Sequence, residues 1–167
     1  MRIYLAGPLG FSEAGRAFVP KLKRLLAANG HRVVDPFALT DTSKVQRMRY
    51  GASKRAAWRK LDREIGAANR AAIDRSDAIV AVLDGTDVDS GTAAEIGYGF
   101  ARGKLIVGYR GDFRLSADNE GSTVNLQVEY FIRESGGDIV AFAADLPRAL
   151  AKSARSRDKS ARPARRK

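Results

Sequence analysis

Two kinds of apolar spacing alternate along this chain. Short apolar blocks occur at Arg2 to Ala6, His31 to Val34, Ala78 to Leu83, Lys104 to Tyr109 and Asp138 to Phe142. The third reads AIVAVL and is apolar throughout, as suits a parallel strand buried on both faces. Between the blocks, apolar residues recur at helical spacing. Ala17, Leu22, Leu25 and Leu26 follow Ser12, which can cap a helix, and Asn29-Gly30 ends that run. Pro20 lies inside it and predicts a kink or a second start. Trp58, Leu61, Ile65 and Ala68 share one face of a helix over Lys54 to Ile73. Gly91 to Arg102, Ser122 to Glu134 and a stretch from about Ala144 towards Ala151 predict three more helices. Thr40 to Ser53 is polar and without period, which predicts a loop long enough to serve as a lid or binding segment.

Strands alternating with helices imply right-handed βαβ connections. The expected architecture is α/β. It is a single Rossmann-like domain over residues 1–150, with a five-stranded, mostly parallel sheet and helices on both faces. Residues 151–167 are poor in apolar side chains and predict a basic, disordered tail.

Composition narrows the chemistry. The chain has 167 residues and no cysteine, so disulfides and thiolate metal sites are excluded, and its one histidine argues against a His-rich metal site and a histidine-dependent triad. No metal and no cofactor is expected. No apolar run reaches membrane-spanning length and no signal peptide is evident, so the expectation is a cytoplasmic protein without membrane contact. The net charge of +11 is unevenly placed: residues 151–167 carry +7, and the other 150 carry 22 basic and 18 acidic side chains. The tail could neutralise nucleic-acid phosphates. It has no aromatic residue for stacking, and a solubilising terminus is the simpler reading.

In an open parallel sheet, ligands bind beyond the C-terminal strand ends. That rule selects Gly7 to Gly10, Asp84 to Glu95 and Arg110 to Asn125. Glu95 stands near the start of a helix, where free N–H groups favour an ionised carboxylate, and small residues flank it. An ordinary first-turn glutamate would look the same. Phe11 can stack on a base or cap the core. His31 lies far from the selected segments and reads as structural, and Trp58 reads as core or subunit contact. Gly97-x-Gly99 with Gly103 falls at a helix's middle and end, and Gly103-Lys104 has Tyr98 where a P-loop needs glycine, so neither is a phosphate site.

Five blocks stand in order: Tyr4-Leu5-Ala6-Gly7-Pro8; Asp77 through Gly85 (DAIVAVLDG); Asp89 through Tyr98 (DSGTAAEIGY); Gly103-Lys104; and Val124-Asn125-Leu126. Together they resemble the nucleoside 2-deoxyribosyltransferase family over roughly the first 140 residues. The resemblance implies roles. Glu95 matches the nucleophile that displaces the base and holds 2-deoxyribose as a glycosyl ester. Tyr4 matches a tyrosine that orients that glutamate. Asp89 matches a carboxylate on the sugar's primary hydroxyl. Asn125 matches an asparagine that reaches the same hydroxyl from a neighbouring subunit, which implies a homo-oligomer. Gly7, Pro8, Phe11, Ser90 and Gly91 are expected to line the substrate site. Asn69 falls where some members have an aspartate that assists proton transfer to the base. An amide cannot be a general acid, so the leaving-group acid is unassigned.

The residue types suit the chemistry. Cleaving an N-glycosidic bond builds oxocarbenium character at C1′, which a nearby carboxylate can stabilise and then bond. The acceptor is then a second base or water. Relatives of this fold hydrolyse deoxynucleoside 5′-monophosphates. Asp89 would repel a phosphate and accept a hydrogen bond from a hydroxyl, which favours nucleosides. Ser90, Ser122, Arg110 and Arg114 keep the nucleotide alternative open, and a non-catalytic nucleotide-binding protein with a nucleic-acid tail is a third reading.

Overall fold

The structure is a computed structural model that describes residues 1–161, with side chains through 157. Five strands form one sheet: β1 Arg2–Ala6, β2 Arg32–Val34, β3 Ala78–Val82, β4 Leu105–Tyr109 and β5 Ile139–Val140. Their order is β2-β1-β3-β4-β5, and all four pairings are parallel, so the expected "mostly parallel" sheet is parallel throughout. Six helices connect and flank them: α1 Glu13–Ala28, α2 Ser43–Gln46, α3 Ala52–Asp74, α4 Ser90–Ala101, α5 Leu126–Glu134 and α6 Leu146–Ala161. Among the described residues no helix is long and apolar enough to cross a membrane.

Strand alternation divides the core between the two sheet faces. Ile3 and Leu5 of β1 pack with Val80, Val107, Leu22 and Leu26 of α1 and Leu146 and Leu150 of α6. Tyr4 and Ala6 point the other way and pack with Ile79, Leu83, Ile106, Ala72 and Ile73 of α3, Ile96 of α4 and Ile132 of α5. This parity sends the Tyr4 side chain towards α4. Gly99 lets α4 approach β3 closely, because a Cβ there would stand 2.2 Å from Ile79 Cδ1. That accounts for the glycine as packing.

Several expectations are corrected. Pro20 does not start a second segment; α1 is one continuous helix from Glu13 to Ala28. Pro20 and Arg16 are both exposed, so water can take the carbonyl that loses its intrahelical partner. Thr40 to Ser53 is not wholly loop: it contains α2 and the first two residues of α3, and Lys54 Nζ ties it down by donating to the Gln46 and Met48 carbonyls at 2.8 and 3.0 Å. The α5 helix starts at Leu126 rather than Ser122, because Asn125 caps it by accepting from the Gln127 and Val128 N–H groups. The final helix does not end near Ala151. It runs to Ala161, with Ser153 buried and Arg157 donating to the Gly103 carbonyl at 2.7 Å. The expected disorder therefore does not begin at 151; the rest of the expected tail lies outside the described residues.

Candidate active site

A cavity of about 460 Å³ opens at the C-terminal edge of β1, β2 and β3. Strand order reverses there, which is where open α/β sheets form a crevice. Four segments wall it. Gly7, Gly10 and Phe11 come from the turn after β1; Pro36, Phe37, Thr40, Thr42 and Gln46 follow β2; Trp58, Asp62, Ile65 and Asn69 form one stripe of α3; and Asp89, Gly91, Thr92 and Glu95 start α4. Gly7 has φ +152, and a Cβ there would stand 2.9 Å from Val82 Cβ, so only glycine lets the turn hug β3.

Glu95 lies on this wall and accepts a 2.6 Å hydrogen bond on Oε1 from the Tyr4 hydroxyl. The bond links a fully buried strand residue to the second turn of α4 and fixes one carboxylate oxygen, leaving the other for chemistry. Burial raises Glu95 to about 6; the Tyr4 bond opposes that rise, and the nearby Asp89 charge adds to it. The expectation that the helix N-terminus holds this carboxylate anionic is thus outweighed: Glu95 is the sixth residue of α4, beyond the free N–H groups. It is still mostly ionised at pH 7. Burial first, and Glu95 second, hold the Tyr4 phenol far above its ordinary range, so Tyr4 stays a donor.

Asp89 is the N-cap of α4. Its Oδ2 accepts from both the Thr92 N–H and the Thr92 hydroxyl at 2.9 Å, while the residue itself borders the cavity. The β3–α4 loop is held from behind by Arg110, which is only 5% exposed. Its guanidinium donates to the Leu83, Gly85 and Arg114 carbonyls. Asp84 completes the anchor by accepting from the Gly111 and Asp112 N–H groups at 2.7 and 2.9 Å.

The cavity brings together Gly7, Phe11, Asn69, Asp89, Gly91 and Glu95, with Tyr4 behind Glu95. It does not include Pro8, Ser90 or Asn125. Pro8 starts a short 3-10 turn, Ser90 is exposed, and Asn125 caps α5. The segment after β4 contributes no wall; the segment after β2 does so instead. Trp58, assigned to core or subunit contact, lines the cavity with Asp62 and Ile65. The spacing 58, 62, 65, 69 was a readable helical stripe, but nothing in the sequence says that it faces a ligand space. Phe37 packs edge-on against Phe11 with centroids 5.1 Å apart, and both rings border the cavity. Asn69 Oδ1 is buried and has no hydrogen-bond partner among the described residues. Among the described residues no three His, Cys, Asp or Glu side chains converge as metal ligands would.

A parallel α/β domain with a tyrosine-bound carboxylate in a crevice at its strand ends is built for a small organic ligand. Residues 3–127 match the family described as nucleoside 2-deoxyribosyltransferase, and the chain belongs to that family. An uncharacterized protein of Schizosaccharomyces pombe, C191.05c, is 32% identical over 117 residues, covering 68% of this chain and 51% of that one. This chain therefore spans about half the length of that relative. The structure of a 2-desoxiribosyltransferase from Leishmania mexicana aligns with TM-score 0.60 and 25% identity, over 90% of this chain and 94% of that one. A 2-deoxyribosyltransferase from Bacillus psychrosaccharolyticus aligns with TM-score 0.62 and 22% identity, over 88% and 90% of the two chains, which supports the shared fold.

Proposed function

We propose that this protein cleaves the N-glycosidic bond of 2′-deoxynucleosides and transfers the 2-deoxyribosyl group to another base through an ester on Glu95. The observation that carries the reading is the Tyr4–Glu95 hydrogen bond at the wall of the cavity. In the first step the free Glu95 oxygen bonds C1′ as the C1′–N bond breaks, and the bonding pair leaves with the base. In the second, a nitrogen of the incoming base bonds C1′ on the side opposite the ester and gives up its proton to water as the Glu95 carboxylate is released. Two inversions retain configuration. Asp89 receives the sugar's primary hydroxyl, and Phe11, Phe37 and Trp58 offer apolar surface to the base. Asn69 has no proton to give at neutral pH. The departing base therefore takes its proton from water. Asn125 serves the cavity of a second copy.

The test is incubation with a deoxynucleoside and a different free base. A new nucleoside is expected, and Glu95→Ala should lose at least a thousandfold of exchange while its circular dichroism stays unchanged. Full exchange in that variant overturns the nucleophile. A deoxynucleoside is expected to outperform its 5′-monophosphate. The reverse preference, with hydrolysis in place of exchange, would favour the monophosphate N-glycosidase and remove Asp89 from hydroxyl binding.

A further inference from the structure

The 22 basic and 18 acidic side chains of residues 1–150 are close to balance in number but not in place. Residues 44–70 hold nine lysines and arginines against two carboxylates, Asp62 and Glu64. Among the described residues none of those nine cations has a carboxylate partner within 4.0 Å, although cations elsewhere do, such as Arg102 with Asp74 and Arg133 with Glu129. On α3 the spacing sorts the residues by face. Leu61 and Ala72 enter the core; Trp58, Asp62, Ile65 and Asn69 face the cavity; Arg55, Arg59, Arg63 and Arg70 form the next flank, all exposed. The arginine row spans 15 residues, about 22 Å at the helical rise. It runs beside the cavity mouth. At its N-terminal end stands Tyr50, 88% exposed, with Arg55 5.8 Å from its ring centre, and at the cavity mouth stands Phe11, 75% exposed.

We propose that this flank of α3 binds single-stranded nucleic acid, with the phosphate backbone along the arginine row and bases against Tyr50 and the cavity mouth. Three features choose this partner. The row is far longer than one phosphate group, so a mononucleotide leaves most of it unused. None of its arginines is tied to a carboxylate within 4.0 Å among the described residues, so phosphates need displace no ion pair. Exposed aromatic faces beside a cationic track suit unpaired bases, which a duplex keeps stacked inside. Apolar side chains that could enter a bilayer are absent from the row, where small residues such as Gly66 intervene. The surface is separate from α6, which packs with α1 on the opposite face of the sheet. The arginines of the row take no part in the glycosyl-transfer steps.

Fluorescence anisotropy with a labelled oligodeoxythymidine of about 20 nucleotides tests this on the full chain. Binding should weaken with salt, and Arg59→Ala with Arg63→Ala should reduce affinity at least tenfold. That double variant should also lower the slope of log K against log salt by about 1.4, the share of two phosphate contacts on a single strand. Replacing Arg162, Arg165, Arg166 and Lys167 by alanine should change affinity less than twofold. Base exchange by the Arg59/Arg63 variant should match the parent, so loss of the surface and loss of the catalytic reading are separable. Absence of binding, affinity unmoved by the α3 changes, loss confined to the C-terminal changes, or tighter binding of a duplex of equal length would each overturn the proposal.

Discussion

Glu95 carries the shift that matters most. Burial lifts its carboxyl to about 6, and the Tyr4 hydroxyl pulls in the opposite direction by bonding the anion. Catalysis that needs the anion should therefore lose kcat/KM as pH falls through about 6. Tyr4→Phe removes the bond that favours ionisation, so the acid limb should move to higher pH; a limb that stays put would detach Tyr4 from the nucleophile. The same shift acts on stability. A carboxyl whose folded pKa is raised binds its proton more tightly when folded, so its contribution is complete below about 4.5 and disappears as pH rises through about 6. At pH 8 the ionised group costs about 2 kcal/mol. Glu95→Gln should melt several degrees higher than the parent at pH 8 and close to it at pH 4, read by calorimetry.

At the scale of the element, α4 depends on one side chain that also borders the cavity. Asp89 caps the helix through Thr92. Asp89→Ala should cost about 1 kcal/mol, a fall of roughly 2–4 °C in Tm, and should raise KM for the deoxynucleoside. Asp89→Ser keeps a capping oxygen. It should restore the melting temperature but not KM, and restoration of both would show that the carboxylate does not meet the sugar. The α3 helix divides its labour by face in a similar way, with core, cavity and cations on successive flanks. Its Trp58 reads in the sequence as core or subunit contact, because an apolar residue at helical spacing near Leu61 looks the same whether its neighbours are a core or a cavity.

For the whole molecule, the site is proposed to draw on two copies. Asn125 lies off its own chain's cavity, and beside it Leu126 and Tyr130 are each 52% exposed on α5, apolar surface of the kind that associates. A variant that keeps the α5 cap, Asn125→Ser, should lose exchange activity. Mixed after co-refolding with Glu95→Ala, the two inactive chains should recover up to about a quarter of parental activity. Random pairing in a two-fold dimer makes half the dimers mixed, each with one intact site. No recovery, with dimers present by light scattering, would leave each copy its own complete site.

The linear pattern determined the strands and their parity. RIYLA and AIVAVL are too apolar to sit anywhere but inside, and alternation along β1 puts Tyr4 on the opposite face from Ile3 and Leu5. The order of motifs likewise placed Glu95 and Asp89 at the start of one helix after a central strand. Only the tertiary structure decided which strand ends share the cavity. The crevice lies where the order β2-β1-β3 reverses, so the segment after β2 becomes a wall and the segment after β4 does not. It decided, too, the ionisation of Glu95, because desolvation depends on what packs around a group and not on its chain neighbours. Charge followed the same rule: a near balance counted along the chain became a row of exposed arginines once one helix gave its cations a common face.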